Sequence, residues 1–182
     1  MSDLVCDVVI IGYGPTGQML ALLLGQKGYR VAVFERWSSL YPMPRAVHYD
    51  HEVARIFQNV GIAKALAPVV EPGGVYEWRN ARGEVLLSFN WSEQSISGWS
   101  SSTMFSQPQL EAILDSSVKA MSTVSVYQGW VVEQVEQTQD AVQLQIRKQL
   151  VTFSDKLMPT EDHLKCATAY PLPLLSRCLQ TL

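Results

Sequence analysis

The first forty residues contain three apolar runs of two kinds. Val5–Ile11, apolar except for Asp7, is rich in β-branched residues, which is typical of a buried parallel strand. Gln18–Leu24 consists of residues that favour a helix, and Tyr29–Glu35 returns to strand-forming residues. This order predicts a strand–helix–strand unit with parallel strands and a right-handed crossover.

Two later segments carry the period of an amphipathic helix. The first follows Asp50, which suits an N-cap, and ends near Gly61, which suits a C-terminal cap. The second follows Ser106–Gln109, which resembles a capping box. Apolar residues share one face of each helix: Val53, Ile56, Phe57 and Val60 in the first, and Leu110, Ile113, Leu114 and Val118 in the second.

Other apolar segments have the length and composition of strands. Val75–Arg79 and Val85–Phe89 flank a turn at Asn80–Gly83 and predict a β-hairpin. Three closely spaced segments, Val124–Tyr127, Trp130–Val135 and Ala141–Arg147, predict a meander of three strands.

The last part of the sequence follows neither pattern. Phe153–Leu182 shows no sustained alternation and no helical stripe, and no glycine occurs after Gly129. Irregular chain without glycine cannot readily make the tight turns of an α/β domain. We therefore predict one domain over residues 1–148 and a poorly packed tail over 149–182 that is unrelated to it and forms no domain of its own.

Composition and charge limit the kinds of partner. Of the 182 residues, 47% are hydrophobic and 17% are charged, as in soluble globular proteins, and a net charge of -3 gives no footprint for nucleic acid. The three cysteines lack the spacing of a metal site. The N-terminal residues have no signal-peptide features, and no apolar run could span a bilayer. We expect a cytoplasmic protein that binds neither metal, membrane nor nucleic acid.

The sequence between the first strand and the first helix is Gly12-Tyr13-Gly14-Pro15-Thr16-Gly17, a G-x-G-x-x-G motif. Gly12 permits a tight turn, Gly14 allows a pyrophosphate to approach the backbone, and Gly17 allows close packing of helix and strand. The N–H groups at the start of the helix would bind the phosphates.

An acidic residue supports this interpretation. Glu35 ends the second strand, 18 residues after Gly17, where a carboxylate can accept hydrogen bonds from the ribose hydroxyls of an adenosine. The alternative is a glycine turn that binds nothing. Agreement among the three glycines, both flanking elements and the acid favours a dinucleotide site.

Further motifs indicate a family. Residues 5 to about 148 resemble the N-terminal part of the class A flavoprotein aromatic hydroxylases, and within them most resemble the branch that hydroxylates 3-(3-hydroxyphenyl)propionate and 3-hydroxycinnamate. The resemblance rests on segments in the family's order: Val9–Gly17, Phe34–Arg36, Pro42–Glu52, Tyr76–Ala81, Ser97–Trp99 and Met104–Glu111.

The resemblance implies an α/β fold, a Rossmann-like three-layer FAD-binding domain of the glutathione-reductase type, here incomplete and with an appended β-hairpin. It also implies roles for individual residues. Gly12, Gly14 and Gly17 would hold the FAD pyrophosphate, Glu35 the ribose, and Arg36 would lie beside the adenine. Arg45 would approach the phosphates and Gln107 the ribityl chain. Two of these residues also have a structural interpretation, Arg36 as a solvated charge and Gln107 as a helix-start residue.

The implied activity is an FAD- and NAD(P)H-dependent monooxygenation of a phenolic aromatic acid ortho to its hydroxyl, with O2 as co-substrate. No side-chain nucleophile or acid–base pair is evident, as expected where the cofactor is the reagent. Family members are more than twice this length and carry later Asp-Gly and Gly-Asp motifs, and neither pair occurs in this sequence. We therefore expect a truncated, inactive form. The alternatives are a nicotinamide-dependent Rossmann oxidoreductase and a non-catalytic fragment without cofactor.

Overall fold

The computed structural model describes residues 4–139, 141–149 and 163–168. Residue contacts divide the chain into two compact units. The first consists of residues 1–41 and 115–182, and the second of residues 42–114.

The described part of the chain contains both helices and strands. Four α-helices are present there, α1 Pro15–Gln26, α2 His51–Asn59, α3 Ala63–Leu66 and α4 Gln107–Lys119, and a 3-10 helix, Ala67–Val69, follows α3. The strands are β1 Leu4–Cys6, β2 Val8–Ile11, β3 Val31–Glu35, β4 His48–Asp50, β5 Val70–Pro72, β6 Val75–Arg79, β7 Val85–Asn90, β8 Ser102–Phe105, β9 Val124–Gln128, β10 Trp130–Gln137, β11 Val142–Lys148 and β12 His163–Thr168.

A parallel sheet forms the middle of the first unit. Its order is β2-β3-β9, and Ile10 of β2 lies beside Val33 of β3. Both side chains are completely buried and share one face of the sheet, which α1 covers. The predicted strand–helix–strand unit with adjacent parallel strands is confirmed.

A second sheet covers the other face of the parallel sheet. Its order is β1-β12-β11-β10. Ala32 and Phe34 of β3 alternate with the helix-facing residues and pack against Leu144 and Ile146 of β11. The helix, the parallel sheet and the second, mixed sheet thus form the three layers of the predicted α/β class.

The first predicted strand is interrupted. Val5–Ile11 forms two strands, β1 and β2, which belong to different sheets and meet at a bend at Asp7. The Asp7 carboxylate accepts hydrogen bonds from the backbone N–H of Arg30 at 2.8 Å and from its Nη2 at 2.7 Å. This pair fixes the start of β2 beside β3 and directs β1 into the other sheet.

The predicted meander is wrong. β9 pairs parallel with β3, so that of the three predicted meander strands β10 and β11 alone pair antiparallel with each other. A single residue, Gly129 at φ +78°, separates β9 from β10, which is shorter than the two-residue loop of a tight hairpin. Helix α4 precedes β9, so β9 enters the sheet as the last strand of a strand–helix–strand connection.

One strand lies within the segment for which no structure was predicted. β12 pairs parallel with β1 and antiparallel with β11. Polar and apolar residues alternate only over His163–Cys166, which is too short to indicate a strand within a segment that shows no sustained alternation. The remainder of the predicted tail, residues 150–162 and 169–182, lies outside the described residues.

The second unit contains a small sheet of order β4-β8-β5, all antiparallel, and the helices α2 and α3. Asp50 caps α2 as predicted, because its Oδ1 accepts hydrogen bonds from the N–H groups of Glu52 at 3.0 Å and Val53 at 2.9 Å. Gly61 follows the helix at φ +86°, the left-handed conformation expected of a C-terminal glycine.

The predicted hairpin is confirmed and forms a separate two-stranded sheet, β6-β7. Two of its cross-strand pairs are apolar and lie on one face. Tyr76 pairs with Phe89 and Trp78 with Leu87, and these four define an apolar face whose side chains are all exposed. Glu77 pairs with Ser88 on the opposite, polar face.

Candidate functional site

The glycine motif forms a turn between β2 and α1. Gly12 has φ +104°, a conformation that strains any residue with a Cβ atom. Its N–H donates to the carbonyl oxygen of Phe34 at 2.8 Å, which extends the parallel pairing of β2 and β3 by one residue before the chain turns. The turn therefore lies at the carboxyl end of two parallel strands, where ligands bind in open α/β sheets.

Gly17 allows the helix to lie against this turn. A Cβ atom at position 17 would overlap the carbonyl oxygen of Gly12 and lie 3.5 Å from Cγ2 of Ile10. The atom that it would overlap is backbone, which cannot move aside as a flexible side chain can. Close packing of α1 on the strand thus requires glycine here, as the motif predicts.

Gly14 is the N-cap of α1 and has ordinary backbone angles. Nothing lies within 4 Å of the position that its Cβ would occupy, so the space above this glycine is open. The first-turn N–H groups of a helix have no acceptor within the helix, and Gly14 has no side chain to cap them. An open space beside unpaired N–H groups at a helix start fits the pyrophosphate of a dinucleotide.

Glu35 lies at the end of β3, next to this turn. Its Oε2 accepts the N–H of Tyr13 at 2.8 Å, and its Oε1 accepts the N–H of Trp37 at 2.9 Å. A carboxylate can accept about four hydrogen bonds, so these two leave capacity for a diol such as a ribose. The glycine turn and the acid are thus joined directly through the backbone of Tyr13.

Tyr13 and Gln18 support the turn, and the motif gave no signal for either. The Tyr13 hydroxyl donates to Asp115 Oδ1 at 2.9 Å, and burial, together with this bond and the charge of Asp115, raises the pKa of Tyr13 well above its usual range. Gln18, fully buried in α1, donates from Nε2 to the carbonyl oxygen of Tyr13 at 2.9 Å. Tyr13 occupies a variable position of the motif and Gln18 is the residue after it, so only the folded contacts reveal their roles.

Arg36 has an exposed side chain. Its Cζ lies 5.1 Å from the centre of the Trp37 ring, the distance of a cation–π contact. This position at the end of β3 agrees equally with a solvated charge and with a surface beside an adenine, so the role of Arg36 stays a prediction.

Arg45 and Gln107 lie together in the second unit. Gln107 is 5% exposed, and its Oε1 accepts the N–H groups of Arg45 at 2.6 Å and Ala46 at 2.9 Å. The Nε2 of Gln107 donates to Oε1 of Glu111 at 2.7 Å. Gln107 is therefore more than a helix-start residue: it holds the backbone of the segment that carries the exposed side chain of Arg45.

The described residues contain neither a metal-binding cluster nor a membrane-spanning helix. No cluster of three or more His, Cys, Asp or Glu side chains there could hold a metal ion. The helices of this part of the chain are too short or too polar to cross a membrane.

A glycine turn after a parallel strand, a helix packed on it through glycine, and an acid on the next strand define a dinucleotide-binding α/β domain. The chain belongs to the FAD binding domain family, whose model matches residues 5–154. The predicted resemblance, fold class and flavin cofactor are confirmed by this match, which extends six residues past the predicted boundary at residue 148.

The curated relatives that the chain matches are hydroxylases. The chain is 41% identical over 131 residues to "Probable NADH-specific resorcinol 4-hydroxylase" of Rhodococcus jostii, covering 72% of this chain and 25% of that protein. It is 35% identical over 138 residues to 3-(3-hydroxy-phenyl)propionate/3-hydroxycinnamic acid hydroxylase 1 of Burkholderia vietnamiensis, covering 75% and 22%. The chain thus spans about a quarter of the length of the curated relatives it matches.

A solved structure has the same fold. The p-nitrophenol 4-monooxygenase of Pseudomonas putida superposes with a TM-score of 0.77 at 21% identity, covering 92% of this chain and 40% of that one. At this identity the likeness establishes the fold alone.

Proposed function

We propose that this chain is the FAD-binding portion of an NADH-dependent monooxygenase that hydroxylates a phenolic ring ortho to an existing hydroxyl. The observation that carries the proposal is the joined arrangement of the Gly12–Gly17 turn and Glu35 in a chain of the FAD binding domain family. The names of the two relatives support the substrate class, since both describe hydroxylases of phenols, and one specifies NADH.

Each residue would have a defined task. The N–H groups of the α1 first turn and the open space at Gly14 would hold the FAD pyrophosphate, and Glu35 would accept the ribose hydroxyls. Arg45 would neutralise phosphate charge, and Arg36 would lie beside the adenine. Gln107 has one amide hydrogen beyond the one given to Glu111 with which to donate to the ribityl chain. FAD, when bound, supplies the redox and oxygen chemistry.

Flavin binding tests the site assignment. The 182-residue chain titrated with FAD should quench flavin fluorescence and show a bound-flavin absorption spectrum. Gly14→Val should abolish both, because the new side chain fills the space assigned to the pyrophosphate. Gly74→Val is the matched control, since Gly74 also has open space, no positive φ and no assigned role. Wild-type affinity in Gly14→Val would refute the assignment.

A second variant tests the acid. Glu35→Ala should weaken FAD binding by about 1–3 kcal/mol, the loss of charge-assisted hydrogen bonds to ribose, or roughly 5- to 150-fold in Kd. Because Glu35 also accepts two backbone N–H groups, unfolding by urea should be measured in parallel. A comparable affinity of the wild-type chain for NAD+ would favour the nicotinamide-dependent alternative instead.

We propose further that the 182-residue chain alone does not couple NADH oxidation to hydroxylation. Hydroxylation needs a closed pocket that excludes water, and the chain corresponds to about a quarter of the relatives' length. With FAD, NADH and 3-(3-hydroxyphenyl)propionate, any NADH oxidised should appear as hydrogen peroxide and none as dihydroxylated product by chromatography. Stoichiometric dihydroxylated product would refute this part of the proposal.

A further inference from the structure

The buried pair Gln107–Glu111 lies at the place where a strand becomes a helix. Phe105, at the end of β8, donates its N–H to the carbonyl oxygen of Val47 at 2.9 Å, the last backbone bond on this side of the β4–β8 pairing. Beyond it the chain turns into α4 and can no longer present backbone acceptors to residues 45 and 46. The amide oxygen of Gln107 replaces them, and so continues the pairing by two hydrogen bonds.

This replacement works only in one orientation of the amide. The oxygen must face the N–H groups of Arg45 and Ala46, and the nitrogen must then face the opposite way. Rotation of the amide by 180° would place its N–H groups against two other donors. A buried polar group that makes no hydrogen bond destabilises the fold, so the orientation matters at this 5% exposed side chain.

Glu111 supplies the acceptor that selects this orientation. It lies one helical turn after Gln107, hence on the same face of α4, and its side chain is 2% exposed. Its Oε1 receives the hydrogen bond from Gln107 Nε2 at 2.7 Å. A flipped amide would turn its oxygen towards this acceptor and lose three hydrogen bonds at once.

We propose that Glu111 is a positioning residue that acts through Gln107 to hold the backbone at Arg45 and Ala46, and thereby sets the position of Arg45 for the cofactor phosphates. The positioning of Arg45 for phosphates rests on the proposed flavin function, whereas the hold on the backbone at residues 45 and 46 concerns the protein without cofactor. Neither the family match nor the names of the relatives assign Glu111 a role.

Amide hydrogen exchange of the FAD-free chain tests whether Glu111 holds the backbone at Arg45 and Ala46. Glu111→Leu, of similar size but without an acceptor, should speed exchange at the N–H groups of Arg45 and Ala46 at least tenfold. The N–H groups of Ile62 and Leu66, which are bonded to backbone in the same unit, should change less than twofold. Unchanged exchange at residues 45 and 46, or an equal rise at all four, would overturn the proposal.

A swap of the two side chains separates positioning from general stability. Gln107→Glu alone sets two carboxyl groups against each other and should speed exchange at residues 45 and 46 as Glu111→Leu does. Adding Glu111→Gln restores one donor and one acceptor between the two positions, and exchange should return to within threefold of the wild-type rate. A double variant that folds but exchanges as fast as Gln107→Glu would contradict the role of Glu111.

FAD affinity then tests whether this hold positions Arg45 for the cofactor phosphates. If the wild-type chain binds FAD, Glu111→Leu should raise the Kd about tenfold and the double variant should restore it. If exchange at residues 45 and 46 responds as expected but the Kd does not, the positioning of Arg45 for phosphate is refuted. A wild-type chain that does not bind FAD would refute the proposed function, and the exchange result would still test whether Glu111 holds the backbone at residues 45 and 46.

Discussion

Tyr13 occupies a position of the glycine motif at which any residue type is allowed, yet its contacts give it a structural role. Its N–H, carbonyl and hydroxyl are each hydrogen-bonded, to Glu35, Gln18 and Asp115 respectively. The first of these bonds orients the acid proposed to bind ribose. The glycines allow the shape of the turn, but the bonds of Tyr13 hold it in place.

Tyr13→Phe should lower the free energy of unfolding by about 1–2 kcal/mol, because a buried hydrogen bond to a carboxylate is lost while Asp115 keeps its ion pair with Lys119. Urea denaturation at neutral pH would measure this. Tyr29→Phe is the control, since Tyr29 is exposed and should change stability by less than about 0.5 kcal/mol.

The same variant should alter the response to alkali. Burial raises the pKa of Tyr13 in the folded chain, so above about pH 10 the unfolded chain loses the proton first. Tyr13 then favours unfolding increasingly as the pH rises. The stability difference between wild type and Tyr13→Phe should therefore shrink above pH 10, and a constant difference up to pH 11 would contradict the assignment.

At the scale of the elements, the helices, strands and turns that depend on neighbouring residues were predicted correctly. The strand partners that depend on distant residues were not. The strand–helix–strand unit, the cap at Asp50 and the hairpin follow from residues close together in sequence. The break at Asp7 depends on Arg30, and the place of β9 depends on β3, so neither is visible in a local window. In the candidate site, the family motif indicated Gln107 and Arg45, but only the fold revealed Tyr13, Gln18 and Glu111.

Asp7→Asn should weaken the junction between β2 and β3 in a pH-dependent way. Hydrogen bonds from the Arg30 side chain and backbone hold the pKa of Asp7 below its usual value. The carboxylate therefore stabilises the fold above about pH 4, and this contribution is lost as the pH falls through the lowered pKa. Urea denaturation between pH 2 and 7 should show the wild-type advantage only at the upper end.

A double-mutant cycle with Arg30→Gln checks the origin of this advantage. The coupling between the two side chains should decline with added salt, because Arg30 is exposed. A coupling that is independent of pH would contradict the attribution to the Asp7 carboxylate.

Gly17→Ala should destabilise α1 on its strand by about 1–3 kcal/mol. Alanine favours a helix over glycine by about 1 kcal/mol, but overlap with the backbone oxygen of Gly12 should cost more than this gain. Thermal unfolding without FAD would show a lower Tm. A higher Tm would mean that helix and turn can separate without loss.

At the scale of the whole molecule, the apolar face of the hairpin is notable because its large side chains are left exposed in the described structure. Tyr76, Trp78, Leu87 and Phe89 lie exposed together, although burial of such side chains is favourable, and Tyr76 also stacks on Trp91. The chain corresponds to about a quarter of its curated relatives' length.

Trp78→Ser combined with Leu87→Ser should therefore change the free energy of unfolding by less than about 1 kcal/mol, because both side chains are exposed in the fold. The fluorescence of a dye that binds apolar surfaces should fall markedly. Ser88→Asn on the polar face is the control and should leave dye binding unchanged. A loss of several kcal/mol in the serine variant would show that this face is packed.

Gly14 and Gly17 should differ in the substitutions that they tolerate. Position 17 excludes a Cβ atom because backbone lies there, whereas position 14 has room for one. In a library selected only for soluble expression, position 17 should remain glycine while position 14 accepts other small residues. Selection of the survivors for retained flavin should then return position 14 to glycine, so that two glycines three residues apart record separate demands of folding and of ligand binding.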